Sequence, residues 1–329
     1  MSSTTISVVL ATFNGAPYLA QQLDSLTRQV RPPDELVVGD DGSTDATLDI
    51  VHRFRRSSGF PVSVVRNERL GVGTNFLVAA GEAQGRYIAF ADQDDVWLPD
   101  KLARLLDTLH RHRAVLVAHG VRSVDEQLRP IRTGYPNVRG VQVEERLRGN
   151  VWFPIGGNAM LFERTLLDGC DWKNRPSSQW SHDQMNHDDL VKLLAVVRGR
   201  TVRIPERLLL YRQHRNNVEG ASKTLSQALR TYTDHTEGIE HRINVAADWS
   251  RFFSPLAGPE HRSATERYFA DAAAIMAARL ARLDEPTLRA LRSIAGAVIR
   301  GDYSRRSADG LEWRWALQDL YSVLPGRNP

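Results

Sequence analysis

The chain has a single cysteine, Cys170, in 329 residues. An internal disulfide and a zinc site built from several cysteines are therefore excluded. Lysine is almost as scarce: Lys101, Lys173, Lys192 and Lys223 are the only ones, and the other cations in a total of 43 are arginines. The excess over 39 acidic residues leaves a formal net charge of +4. That balance suits an anionic small molecule or an anionic membrane surface, but the basic residues are dispersed and form no patch of the kind that tracks a nucleic acid. No stretch approaches 18 uninterrupted apolar residues, which argues against a membrane-spanning helix. The opening "MSSTT" runs directly into "ISVVLATFN" without the pattern of a secretory leader, so the expected location is the cytoplasm. There is no Walker-type lysine loop, and "LGVGTNF" (70–76) lacks a third glycine and does not follow the first strand. Phosphates would have to be held by something other than a glycine cradle.

What is present is an alternation of short β-like runs and helix-like stretches through the first hundred residues, the pattern of a parallel sheet with crossover helices. "ISVVLAT" (6–12), "DELVVGD" (34–40), "VSVVRN" (62–67) and "RYIAFAD" (86–92) read as strands, with helices between them. In "DATLDIVHRFRR" (45–56) Leu48, Val51 and Phe54 recur at helical spacing. A helix over 98–112, strands at 114–125 and 158–163, a helix over 188–198 and a short strand at "TVRIPERLLLYRQ" follow. Beyond residue 222 the texture becomes nearly continuous helix. The expected organisation is an α/β region over 1–222, with halves of about 1–112 and 113–222, and a helical region over 223–329.

Two acidic clusters stand at expected strand ends, where open α/β sheets bind ligands. In "VVGDDGSTDAT" (37–47), Ser43, Thr44 or Asp45 can cap the next helix, but capping leaves Asp40 and Asp41 unexplained. In "IAFADQDDVW" (88–97), Asp92, Asp94 and Asp95 crowd three carboxylates together before a tryptophan. An acidic N-cap turn accounts for Asp95. Asp92 and Asp94, two apart on one side of an extended segment, suit Mg²⁺ or Mn²⁺, with water and substrate phosphates completing the shell.

The stretches "VVLATFNGAPYLAQQLDSL", "ELVVGDDGSTDAT", "ERLGVGTNF" and "YIAFADQDDVWLPDKL" together resemble the N-terminal half of family 2 glycosyltransferases of the GT-A fold. "DQDDVW" and "LLLYRQHRNNVEGA" (208–221) are most similar to the bacterial rhamnosyltransferase-like branch. The resemblance spans roughly residues 5–222. It implies a Rossmann-like, mostly parallel sheet flanked by helices. It also implies that Thr12, Phe13, Asn14, Asp40 and Asp41 hold the nucleoside of a nucleotide-sugar donor, and that Asp92 and Asp94 bind a metal ion on its diphosphate. His214 of "YRQH" would complete the metal or diphosphate site. The implied donor is dTDP-rhamnose, with UDP- and GDP-linked sugars as alternatives. The implied acceptor is a hydroxyl of a glycan or lipid-linked glycan, as in surface polysaccharide or O-antigen synthesis.

An inverting transferase needs a general base for the acceptor hydroxyl. In "SHDQMNHDDLVKLLAVVRG" the resemblance favours Asp188 at a helix start, with Asp183 and Asp189 as alternatives; Asp188 could also be a helix cap. Arg212 and Arg215 are candidate phosphate contacts. Gly156 and Gly157 allow close backbone approach in "NVWFPIGGNAM" (150–160), and Trp97, Trp152 and Trp180 are candidates for an acceptor platform or for core. In the last third, Phe269, Ala272, Ala273, Met276, Leu280 and Leu283 mark an amphipathic helix with Arg267, Arg279 and Arg282 interspersed. It suits packing on the catalytic region or a second subunit, or peripheral membrane contact. Two rivals remain: a nucleotidyltransferase, which would carry a basic glycine-rich loop where "ATFNGAPYL" stands, and a catalytically silent sugar-nucleotide or glycan-binding scaffold.

Overall fold

The computed structural model describes residues 4–131, 138, 140–215, 235–299 and, near the C-terminus, 316, 317, 319, 320 and 323. The expected boundary at 222, residues 216–221 of the "YRQH" stretch and most of "EWRWALQDLYSVL" lie outside the described residues. The chain divides into two compact units. The first comprises 1–146, 154–174 and 185–217, and the second comprises 147–153, 175–184 and 218–329.

In the first unit the strands are β1 (Ile6–Thr12), β2 (Glu35–Asp40), β3 (Val62–Arg66), β4 (Tyr87–Asp92), β5 (Val96–Trp97), β6 (Leu116–Val124), β7 (Gln142–Glu144), β8 (Met160–Glu163) and β9 (Thr201–Arg212). They form one sheet in the order β3-β2-β1-β4-β8-β6-β9-β5, with β7 pairing β9. Pairing is parallel across β3, β2, β1 and β4, with antiparallel β8 inserted between β4 and β6. The helices are α1 (Ala16–Thr27), α2 (Thr47–Ser57), α3 (Val72–Gly81), α4 (Lys101–His112) and α5 (His187–Arg198). β1 and β2 are buried almost throughout, which is why they read as continuous apolar runs. Register then fixes the site: Thr12 lies opposite Asp40, and Ala11 opposite Asp92. Three parallel strands thus end side by side at the residues where their apolar runs give way to carboxylates and a hydroxyl.

β9 runs through Pro205 over nearly the whole of the expected stretch. Thr201–Arg203 pair with β7 and Leu209–Leu210 with β5, while the register against β6 shifts between these segments. Exposed Pro205 sits where the ladder is irregular, a position that needs no N–H donor.

The second unit contains α6 (His235–Phe253), α7 (Arg262–Leu283) and α8 (Thr287–Ile299). Trp249, Phe253 and Phe269 pack ring to ring between α6 and α7, and Trp249 meets Trp152 at 5.2 Å. Arg279 does not join a basic face. It is buried in an ion pair with Asp319 at 2.8 Å. Among the described residues no helix is long and apolar enough to cross a membrane.

One buried titratable group on the sheet gives a pH test. His119 on β6 has Nδ1 2.6 Å from the Gly120 carbonyl and no hydrogen-bond partner for Nε2 among the described residues. Burial, then the nearby Lys101 charge, hold its pKa well below 6.5. The unfolded chain therefore takes up a proton that the folded chain refuses, so this contribution to stability is complete above about pH 6.5 and is lost as pH falls below it. His119→Gln should flatten the decline in the urea midpoint between pH 7 and pH 5. An unchanged slope would show that His119 does not govern it.

Candidate functional site

The turns after β1 and β2 are built on each other. Thr12 Oγ1 donates to Asp40 Oδ1 at 3.0 Å, and Asp40 also accepts the Ser43 hydroxyl and the Ser43 N–H. Asn14 adopts a positive φ of 47°, which asparagine tolerates better than most residues. Its N–H donates to Ser43 Oγ and its Oδ1 accepts the Thr44 N–H, both at 2.9 Å. None of the three capping candidates holds the cap position of α2, which is Ala46; Asp45, one residue earlier, accepts the N–H groups of Thr47 and Ala16, joining the starts of α1 and α2. Burial pushes the Asp45 carboxyl up, but these hydrogen bonds outweigh it and leave it below the usual range. Asp41 accepts the N–H groups of Leu70 and Gly71 on separate oxygens at 2.6 and 2.9 Å. Asp40 and Asp41 are both buried, so they shape the loops around the strand ends. Phe13 is held by reciprocal bonds between its backbone and the Gln93 amide at 2.9 and 3.0 Å, with the Arg69 guanidinium 3.9 Å over its ring. Gly15 makes room for that amide, since a Cβ there would stand 2.1 Å from Gln93 Oε1.

The acidic turn after β4 separates its carboxylates. Asp92 and Asp94 remain partly exposed, while Asp95 is 0% exposed. Asp95 is not the cap of α4; Asp100 occupies that place. Its Oδ2 instead accepts the Asn158 amide at 2.6 Å and its Oδ1 the Arg212 N–H at 3.2 Å. Burial, reinforced by Asp92 and Asp94, pushes its pKa well above the usual carboxylate range. Lys101, equally buried, donates to the Asn158 carbonyl and lies 3.5 Å over the Trp97 ring, and burial pushes its pKa well down. Trp97 is therefore a core residue here, as is Trp152, whereas Trp180 is 54% exposed.

Arg212 is buried, with its Nε on the Asp94 carbonyl at 2.7 Å and its other nitrogens on the Glu126 carbonyl and Gln21. It clamps the turn. Arg215 is exposed. Tyr18 packs between the Arg212 guanidinium at 4.8 Å and the His214 ring at 4.7 Å. His214 Nε2 stands 2.8 Å from Asp94 Oδ2. Adjacent ligand atoms around an octahedral ion with bonds of about 2.1 Å are about 3 Å apart, so this pair has the spacing and the chemistry to share Mg²⁺ or Mn²⁺. Among the described residues no group of three or more His, Cys, Asp or Glu encloses a metal. An ion here would be coordinated in part by its ligand's phosphates.

α5 begins against the same sheet. Its cap position is Asn186, and His187 packs on Phe76 at 4.0 Å and Phe90 at 4.9 Å. Gly157 permits this seat, because a Cβ there would stand 2.4 Å from His187 Nε2. The adjacent acids have different fates. Asp189 is buried in an ion pair with Lys192 at 2.7 Å, while Asp188 is only partly buried and accepts the Asp189 N–H. Asp183 is exposed and belongs to the second unit. Sequence reading missed Ser43, Gln93, Lys101 and Asn158; only the rarity of lysine set Lys101 apart. Asn158→Ala would leave the buried Asp95 oxygen without its amide donor, so a loss of about 1–3 kcal/mol is expected in urea unfolding. A neutral result would show that the Asp95 anchor is dispensable.

Residues 7–168 match the model described as glycosyl transferase family 2. An uncharacterized glycosyltransferase of a Nostoc species is 26% identical over 240 residues, covering 69% of this chain and 70% of the relative. The dTDP-rhamnosyl transferase RfbG of Shigella flexneri is 28% identical over 227 residues, covering 65% and 74%. Among solved structures, TarS of S. aureus in complex with UDP-GlcNAc aligns with a TM-score of 0.56 at 20% identity, covering 91% of this chain and 89% of that one. The mannosyltransferase PcManGT of Pyrobaculum calidifontis, in complex with GDP-Man and Mn²⁺, aligns at 0.50 and 19%, covering 97% and 84%. Both share the α/β fold with this chain.

Proposed function

We propose that the chain, whose residues 7–168 match the family 2 glycosyltransferase model, is a metal-dependent, inverting glycosyltransferase. It moves a sugar from a nucleoside diphosphate donor to a hydroxyl of a glycan or lipid-linked glycan. The observation that carries this reading is the alignment of Thr12, Asp40 and Asp92 across three adjoining strand ends, with Asp94 paired to His214 beside them. Rhamnose is the donor sugar we favour, supported by the likeness to RfbG; the nucleotides bound by TarS and PcManGT make uridine and guanosine diphosphate sugars the alternatives to test.

In this reading the loops ordered by Asp40 and Asp41 receive the nucleoside, with Thr12, Phe13 and Asn14 along its edge. Asp94 and His214, with Asp92 at the adjoining strand end, would hold a divalent ion, whose positive charge would offset that of the departing diphosphate. Asp188 takes the proton of the acceptor hydroxyl as that oxygen attacks the anomeric carbon from the face opposite the diphosphate. Asp189 is unsuited to that task, since Lys192 holds its carboxylate inside the fold. Catalysis belongs to the region 1–222, and 223–329 is a helical region for packing.

Two variants separate the neighbouring acids. Asp188→Asn should lower kcat by about 10²–10⁴-fold while nucleotide binding and folding persist. Asp189→Asn should instead destabilise the fold by about 3–5 kcal/mol by leaving Lys192 without its partner charge. Full activity in Asp188→Asn would remove it as the base. The donor site is tested by calorimetric titration of dTDP, UDP and GDP with and without Mn²⁺. One nucleotide should bind in a metal-dependent way and tenfold or more weakly to Asp94→Ala. Failure of all three nucleotides to bind would leave the silent-scaffold alternative.

A further inference from the structure

The residues 175–184 form a pinned loop of the second unit. Ser177 and Gln184 bridge as antiparallel partners, and the Ser178 N–H donates to the Asp183 carbonyl at 2.8 Å. Helix α6 fastens the loop from outside: Trp249 Nε1 lies 3.0 Å from the Ser177 carbonyl, and His241 Nε2 lies 2.8 and 3.0 Å from the carbonyls of Ser178 and Ser181. A segment held at this many points loses little freedom when a ligand settles on it.

At its tip the loop presents Trp180, 54% exposed, with the Arg242 guanidinium 5.1 Å from its ring. A lone exposed apolar residue usually needs no explanation, but this ring is oriented rather than loose. His182 and Asp183, both exposed, follow it two and three residues on, and His182 is itself packed on His241 at 4.5 Å. Directly before it, Gln179 is buried with both amide atoms lacking a hydrogen-bond partner among the described residues. Such enclosed atoms call for a buried water beneath the loop. An exposed aromatic face on a pinned loop, with the Arg242 guanidinium against the ring and exposed polar residues close by in sequence, suits a pyranose, which carries C–H bonds on one face and hydroxyls at its rim.

We propose that this loop is a saccharide-binding surface on which Trp180 stacks a sugar ring of the acceptor. The assignment of that sugar to the acceptor rests on the transferase reading above; the surface itself rests on the loop. It also gives Asp183 a role as a hydroxyl acceptor rather than a base.

The probes are octyl glycosides of glucose, galactose, N-acetylglucosamine and rhamnose, titrated into the full chain by saturation-transfer NMR. At least one should bind the wild type, about tenfold or more weakly to Trp180→Ala, and with most of its affinity retained in Trp180→Phe. Metal-dependent nucleotide binding, measured in parallel, should be equal in all three proteins, which also reports that each is folded. Equal glycoside binding by Trp180→Ala, or none by the wild type, overturns the surface even when nucleotide binds. Loss of nucleotide binding in the wild type overturns the transferase reading instead, and glycoside binding that depends on Trp180 would then support a glycan-binding surface without the acceptor assignment.

Discussion

Three carboxylates within four residues at the end of a buried strand are an electrostatic liability, and the first unit is organised around dividing them. Burial, and then the charges of Asp92 and Asp94, push the Asp95 carboxyl well above the usual range. The chain sends Asp95 inward, where Asn158 and the Arg212 N–H satisfy its oxygens, and leaves Asp92 and Asp94 facing outward. Inward placement requires a compensating environment, and Lys101 provides it through the backbone of the same Asn158. The result ties β4, β8, α4 and β9 to one turn. His214 reaches Asp94 because Arg212, two residues earlier, is locked to that turn from behind.

The strand ends at β1 and β2 follow the same logic with neutral partners. Asp40 and Asp41 are buried with every oxygen accepting a hydrogen bond, Asp40 from Thr12 and Ser43 and Asp41 from the N–H groups of Leu70 and Gly71 ahead of α3, so their energy goes into fixing backbone. Asp45 does this for two helix starts at once. A site assembled this way is preorganised before any ligand arrives, which is where electrostatic catalysis gains most. It also means that substitutions at Asp40 or Asp41 would disturb loop geometry as well as any direct contact.

Much of this was legible in the sequence because the sheet's parallel half writes itself as apolar runs that stop at acids, and because helical spacing marks α2 and α4. Register then followed from topology. The buried polar layer was not legible. Lys101 reads as one charge on an amphipathic helix, Asn158 as a loop residue after two glycines, and Arg212 as an open phosphate contact; each is buried through partners distant in sequence. Asp95 looked like a cap because capping is a local rule, whereas its actual partners are 63 and 117 residues away. The strand over Pro205 was legible too, since proline's missing donor costs nothing where a strand changes partners.

The contrast between Asp188 and Asp189 shows why spacing alone could not select a base. Both lie in the first turn of α5, where the helix dipole favours an anion, so the helix start alone does not part them, and it is the resemblance that favours Asp188. Helical geometry separates them: the face that carries Asp189 also carries Lys192 one turn later and is buried. Asp188, about 100° away around the axis, keeps partial exposure. His187 sets that rotation, because its ring must sit against Phe76 and Phe90 over Gly157. The packing of an apolar seat thus decides which of two adjacent carboxylates keeps its exposure, and a change at Gly157 would reach Asp188 without touching it.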